Sequence, residues 1–330
     1  MDSIKDLVFT MRNNPFIREK ELGDGISSFN FTRQAFYDGH WDEQTVKARG
    51  LFIDTIDNKV VCRGYPKFFR YGEQGIDSDY LKNNIKFPVW TYKKENGFLG
   101  LFTSRKGKPI FATKSQVDGP YNLYFKNCAE RCLGASTIEN LRKYCERNNC
   151  TLLFEVIDMV NDPHIIKYSE DYNIFLLDIV KNDIKFSKLS YEELLDLGDK
   201  YGINVKERLY KPFENLESLF FFIDRILYDS PDIPEKLCFI EGFVLEDANG
   251  FMFKLKTPFY SFWKQMRNIA GSIIKYGNYK HTDRFRDNEA AIDFYNWVMK
   301  RKDNPVIKTL VSENRIIVLR EMFEKGEELP

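Results

Sequence analysis

The chain has 330 residues, which suits one large domain with a small one, or two of medium size. Hydrophobic residues at 43% exclude a disordered chain, and 29 Phe with 18 Tyr leave rings to spare for stacking on bases. With 49 basic and 49 acidic residues the net charge is zero, which excludes coating duplex nucleic acid through bulk charge and confines any cationic surface to a local groove.

The N-terminal stretch lacks the long apolar core of a signal peptide, and no apolar run reaches the length of a membrane span. A soluble, cytoplasmic monomer with no membrane contact is expected. Residues 49–54 and 59–63 read as a hairpin closed around Asp57-Asn58, and residues 87–115 as a three-stranded meander with Lys/Gly turns. A helix is expected over 121–148, strands over 151–158 and 173–180, and helices over 190–202 and 214–228. Strands over 238–246 and 251–256 follow, joined by a turn at Asn249-Gly250. After Pro258 three segments, 259–275, 287–301 and 305–324, carry helical periodicity. The fold class is therefore α+β: an antiparallel-sheet domain over 1–258, then a small all-helical domain over 259–330. Cys128, Cys132, Cys145 and Cys150 have spacings that match zinc knuckles poorly and read as reduced thiols.

Four local signals carry chemistry. Lys94-Glu95-Asn96-Gly97 sits between two predicted strands; a lysine there is a candidate covalent nucleophile, although the segment alone fits a β-turn with exposed lysines better. Glu241, before Gly242 in an expected strand, shares a face with Phe239, Phe243 and Leu245. It is either an outward charge on an edge strand or a metal carboxylate, with Gly242 making room for a ligand. Lys254 and Lys256, two apart on the next strand, point to one face, where they are either solvated or grip a phosphate. Glu155 is a second acid in an apolar strand. A nucleophile-type lysine with glycine, two strand acids and a lysine pair, in that order, together supply what nucleotidyl transfer needs.

This order resembles the covalent nucleotidyltransferase superfamily of ATP-dependent ligases and capping enzymes. Lys94-Glu95-Asn96-Gly97 looks like its motif I (KxDG, with Asn for Asp), the strand holding Glu155 like motif III, Glu241-Gly242-Phe243-Val244 like motif IV, and Lys254-Leu255-Lys256 like motif V. Upstream, Ala48-Arg49-Gly50-Leu51-Phe52 and Arg63-Gly64-Tyr65-Pro66-Lys67-Phe68-Phe69 are similar to segments of the phage RNA ligase 1 family and of the ligase domain of fungal tRNA ligases. Lys114 falls where that family has a lysine after motif I. Two departures stand out: Asn96 in place of Asp, which fungal tRNA ligases share, and Arg70 where Asn is common.

The resemblance implies a nucleotidyltransferase domain joining RNA 3′-OH and 5′-phosphate ends, with ATP and Mg²⁺ (or Mn²⁺) as cofactors. In it Lys94 takes AMP, Arg49 and Lys67 contact the outer phosphates of ATP, and Lys114 supports the phosphate site. Glu155 and Glu241 serve the nucleotide sugar and the metal, and Lys254 with Lys256 holds the α-phosphate. To attack, Lys94 must be neutral, which those two lysines and the metal would favour. A DNA ligase or capping enzyme normally carries an OB-fold after motif V, whereas here the residues after Lys256 read as helices. An RNA-end binding protein without catalysis is the other alternative, and the intact Lys94 argues against it. With no GxxxxGK[ST] loop, a separate kinase or phosphatase that heals the ends is an expected partner. His164 reads as structural rather than as a contact to RNA. The tail from about Thr257 is expected to bind RNA or set substrate choice, with a tail that only props up the fold as the alternative; a chain truncated before residue 280 that stays folded would then keep self-adenylylation and lose RNA joining.

Overall fold

The computed structural model describes residues 3–228, 234–285 and 287–326. The chain opens with α1 (Ile4–Arg12), β1 (Ile17–Glu21), β2 (Ile26–Phe31), α2 (Arg33–Tyr37) and α3 (Glu43–Lys47). Next come β3 (Leu51–Asp54), β4 (Lys59–Arg63), α4 (Ser78–Asn84), β5 (Trp90–Lys94), β6 (Phe98–Arg105) and β7 (Lys108–Ala112). After them run α5 (Pro120–Asn148), β8 (Cys150–Asp158), β9 (Tyr172–Lys181), α6 (Tyr191–Tyr201), α7 (Leu216–Leu227) and α8 (Glu235–Cys238). The last elements are β10 (Gly242–Glu246), β11 (Met252–Lys256), α9 (Pro258–Tyr276), α10 (Glu289–Arg301), α11 (Pro305–Ser312) and α12 (Ile316–Glu324). The expected mixture of antiparallel sheets and a helical C-terminal region is present.

The chain forms two compact units that alternate along the sequence: Met1–Asn83, Phe98–Asp158 and Tyr172–Arg208 make the first, and Asn84–Gly97, Met159–Asp171 and Leu209–Pro330 the second. Their division does not fall at residue 258.

In the first unit α1 and the β1-β2-β3-β4 sheet share a small core around Met11, Phe29 and Ile53. The Asp57-Asn58 turn closes β3 on β4 as expected, with Asn58 at φ +52°. A second antiparallel sheet, β7-β6-β8-β9, buries Phe102, Phe154 and Leu176 against α5 and α6. Helix α5 is broken at Gly134, whose φ of +75° is non-helical. Gly50 and Gly64 pack backbone on backbone: a Cβ on Gly50, at φ +61°, would lie 3.1 Å from the Gly64 Cα. That close approach is the reason each arginine of the two Arg-Gly pairs is followed by glycine. Cys128, Cys145 and Cys150 are buried as free thiols and pack as small apolar groups in this unit.

In the second unit the sheet order is β11-β10-β5, all antiparallel. This corrects the expected meander: β6 and β7 pair, but β5 leaves them for β10, because the Glu95–Gly97 segment carries the chain from one unit to the other. The expected 238–246 strand also shortens. Residues Glu235–Cys238 are helical, β10 begins at Gly242, and Phe239 is 52% exposed. The expected helix over 305–324 is two helices, broken at Asn314 with φ +56°. Their apolar faces join those of α9 and α10 in one core with Trp263, Phe294, Ile316 and Leu319, and that core also takes in Ile165 and Ile166. Among the described residues no helix is long and apolar enough to cross a membrane.

Gly242 has a specific task in this sheet. A Cβ there would stand 2.1 Å from the Leu255 carbonyl oxygen of β11, so the room it leaves is taken by backbone and not by a ligand. Gly242→Ala is expected to cost about 3 kcal/mol or more, through forced separation of β10 and β11. Gly250→Ala, with nothing within 4 Å of its added Cβ and φ +80°, is the control, and should cost only about 1–2 kcal/mol. Urea unfolding of the two variants checks this; equal losses would refute it.

Candidate active site

In the second unit, strand register brings the lysines together. Lys94 ends β5 opposite Gly242, and Gly242 lies opposite Lys256. Since Gly242 has no side chain, Lys94 and Lys256 face each other across the strand between them. Lys254 lies two residues back along the same face, opposite Val244. Glu241, just before β10 and only 4% exposed, receives both lysines: Lys94 Nζ donates at 2.9 Å, and Lys256 Nζ donates to the same oxygen. Burial by itself would raise the Glu241 pKa, but Lys94 and Lys256 hold it down at about 2. Burial and the nearby Lys94 charge lower the Lys256 pKa as well, to about 8, despite its bond to Glu241.

Asn96 completes the arrangement. Its Nδ2 donates to Glu241 at 2.6 Å, while its Oδ1 accepts from the backbone N–H groups of Ile165 and Ile166 at 3.0 and 3.1 Å. The Asn96 N–H donates to the Tyr168 hydroxyl, which donates to Glu95, and Glu95 pairs with Lys93. Lys93 is therefore committed on the other face of β5. The loop of Met159–Asp171 is held from behind: Arg315 donates to the carbonyls of Met159 and Val160, and Arg320 to that of Ile165. Tyr260 lies under the Lys256 ammonium, 4.5 Å from ring centre to nitrogen.

An Asn at position 96 is thus chemically distinct from an Asp. An Asp could accept from the two amides but would turn a second carboxylate toward Glu241. On the reading of Lys94 as a nucleophile toward ATP, Asn96→Asp is expected to slow its labelling by about 10- to 100-fold, the worth of one hydrogen bond to a charged group. Stopped-time labelling at neutral pH measures it; a wild-type rate would show that the amide donor is dispensable.

The first unit holds a second set. Arg49 Nη1 donates to the Tyr65 carbonyl at 3.2 Å, and the N–H of Gly50 donates to the Lys114 carbonyl at 2.9 Å. Desolvation lowers the Arg49 pKa while Glu155 and Tyr65 oppose the fall; a guanidinium stays charged regardless. Burial pushes Lys67 down to about 8, with Arg49 adding to the fall and Glu73 opposing it. Lys114 is lowered by desolvation and by Arg49. Arg49 repels both Lys67 and Lys114, and with Glu73 and Glu155 as the acids acting on the set, the three cations form a ready site for an anion. Asp178, buried on β9, accepts from the Tyr65 hydroxyl and from Lys188 and Lys206, and so anchors the residue whose carbonyl holds Arg49.

The structure therefore gathers Lys94, Glu241, Lys254 and Lys256 in one unit, and Arg49, Lys67, Lys114 and Glu155 in the other. Sequence reasoning missed Tyr168, Tyr260 and the amides of Ile165 and Ile166. The segment Asp162-Pro163-His164-Ile165-Ile166 had drawn attention to His164, yet its ring pairs with Asp162 at 2.7 Å, and it is the backbone beside it that serves Asn96. Among the described residues no three His, Cys, Asp or Glu side chains converge to cage a metal. The hard oxygens of Glu241 or Glu155 suit a cation that takes its other ligands from phosphate and water, as Mg²⁺ commonly does.

Comparison with known proteins gives the family and the fold. The family model described as RNA ligase matches residues 47–260. A tRNA ligase of Candida albicans is 24% identical over 274 residues, covering 69% of this chain and 32% of the relative. The chain thus spans about a third of that curated relative's length. Among solved structures, an archaeal ATP-dependent RNA ligase aligns at TM-score 0.56 and 14% identity over 98% of this chain and 80% of that one. A putative ATP-dependent DNA ligase from Aquifex aeolicus aligns at 0.54 and 16%, over 97% and 80%. At such identities the structural likeness speaks for the fold.

Proposed function

Starting from a chain that belongs to the RNA ligase family, we propose that it joins RNA 3′-OH and 5′-phosphate ends with ATP, through a lysyl-AMP on Lys94. The observation that carries this reading is the convergence of Lys94, Lys256 and Asn96 on the buried Glu241. Lys94 Nζ attacks the α-phosphorus; the P–N bond forms as the bond to the bridging oxygen breaks, and pyrophosphate leaves. The RNA 5′-phosphate then attacks the same phosphorus, releasing Lys94 and giving a 5′-5′ adenylate. The RNA 3′-hydroxyl finally attacks the RNA phosphorus, AMP leaves and the phosphodiester is formed. Each step is a displacement at phosphorus, so placement and charge neutralisation are the protein's main contributions.

An ammonium paired with a carboxylate is no nucleophile, so the Lys94–Glu241 pair must open before attack. A divalent cation, Mg²⁺ or Mn²⁺, taken by Glu241 or Glu155 would neutralise phosphate charge and compete with Lys94 for Glu241. Lys254 and Lys256 take the α-phosphate, and Arg49, Lys67 and Lys114 the outer phosphates. Residues 1–258 carry nucleotidyl transfer, and the helical region over 259–330 serves the RNA, with a broken tRNA as a candidate substrate and a separate enzyme to heal its ends. The free thiols suit a reducing, cytoplasmic setting. Labelling of purified protein by [α-³²P]ATP, followed by transfer of the label to 5′-phosphorylated RNA, tests the proposal. No label would leave an RNA-end binding protein.

Lys67 and Lys256, both near 8, give the reading a pH signature. Phosphate favours the protonated lysine, so binding takes up protons once pH passes about 8. With wild type and an ATP analogue that cannot be cleaved between its α- and β-phosphates, affinity should be flat near about pH 7. Above about 8 it should fall, by up to about tenfold per pH unit for each lysine. Calorimetric titration across this range checks it; an affinity indifferent to pH would remove both lysines from the phosphates.

A further inference from the structure

Around Lys67 the first unit builds an aromatic box that the nucleotide chemistry does not explain. Its ammonium lies 4.1 Å from the centre of the Phe69 ring, 5.5 Å from Trp41 and 5.7 Å from Phe36. Trp41 packs edge-on to Phe69 at 5.0 Å and to Phe31 at 4.9 Å, so the inner wall is rigid. The outer wall is open. Phe36 is 49% exposed and its edge-on neighbour Tyr37, 5.5 Å away, is 78% exposed. Arg33, one helical turn before Tyr37 on α2, is exposed too, as is Arg70 beside Phe69.

Two adjacent open rings, continuous with a cation and flanked by arginines, match one kind of ligand. The rings offer π-faces to a flat base, and the cations offer charge to the phosphate attached to it. An apolar protein partner would leave Lys67 without an anion, and a duplex would have its bases stacked away from the rings. We propose that Phe36 and Tyr37, their planes 81° apart, form a stacking shelf for the unpaired base of the 5′-phosphorylated RNA end, one ring meeting the base face-on and the other bounding it edge-on, while the phosphate meets Lys67. This rests on the ligase reading and deepens it: the RNA end takes the place the outer phosphates of ATP have left. Lys67, desolvated among rings down to about 8, gains most from a partner that brings negative charge.

The test separates shelf from ligase. Wild type and Phe36→Ala/Tyr37→Ala are each converted to the AMP-bearing form with ATP, freed of nucleotide, and mixed with 5′-phosphorylated single-stranded RNA carrying either a normal or an abasic first nucleotide. The shelf predicts a rise of about tenfold in the RNA concentration needed for half-maximal transfer in the double variant. The abasic end should show the same rise with wild type and no further rise with the variant. Phe36→Tyr/Tyr37→Phe should restore transfer, and labelling by ATP should stay within about twofold throughout. An abasic penalty that persists undiminished in the double variant overturns the shelf. So does an equal loss of ATP labelling, since the rings would then act on Lys67 alone. If wild type takes no label, the ligase reading fails, and quenching of 2-aminopurine at the 5′ position of the RNA still decides the shelf: quenching by wild type and none by the double variant supports it, equal signals sink it.

Discussion

Lys94→Ala is expected to abolish labelling by [α-³²P]ATP, a loss of more than about a thousandfold, while the protein stays folded. The neighbouring amine Lys93 is not placed to replace the proposed nucleophile: it points to the opposite face of β5 and is bound to Glu95. Removing Lys94 leaves Glu241 with Lys256 and Asn96, so the buried carboxylate keeps a cation and a donor. Joining of RNA that already bears the 5′-5′ adenylate should survive, because that step needs no amine. Residual labelling of Lys94→Ala at the wild-type rate would move the nucleophile elsewhere, and Lys93→Ala should label normally.

Glu241→Ala has a second kind of large effect, on folding and chemistry together. It takes the carboxylate from two ammonium groups whose side chains are 18% and 14% exposed, Lys94 keeping its bond to the Glu95 carbonyl, and it takes the acceptor from the Asn96 amide. Breaking such a pair costs about 3–5 kcal/mol. The pH dependence has a definite sign. The Glu241 pKa is depressed to about 2 in the folded protein from an ordinary 4.5, so its contribution is complete above 4.5 and is lost as pH falls toward 2. Wild type should therefore lose stability between those values, and Glu241→Ala should lose less over the same span. Urea midpoints at several acid pH values decide the matter. Parallel curves for the two proteins would show that Glu241 is not the titrating group.

Much of this was legible in the sequence because each strand lysine had a period-two partner. Lys254 and Lys256 share a face in β11 as the spacing demands, and the Asp57-Asn58 turn behaves as its residues dictate. What escaped is non-local. That β5 pairs with β10 depends on residues about 150 positions apart, which no window of local periodicity reaches. Glu241 read as a strand acid because Phe239, Phe243 and Leu245 alternate with it, but the chain turns helical before it, and Phe239 faces solvent. Residues 1–47 carry no motif and no expected element, although β1 and β2 complete a sheet there. The tie between the tail and Ile165 is non-local in the same way: nothing near residue 316 announces that its helix joins the core of Ile165. A chain cut before residue 280 loses Phe294, Ile316 and Leu319 from that core, so it is no longer expected to keep Asn96 in place.

The shared core of Ile165, Ile166 and the C-terminal helices sets a rule for building hybrids. Among ligases, exchanging the region after motif V looks like the natural way to transplant substrate preference, since it is contiguous and helical. Here such a graft would bring foreign side chains onto Ile165 and Ile166 and would discard the arginines that hold their loop. A working chimaera has to inherit residues 159–171 from the same parent as its tail.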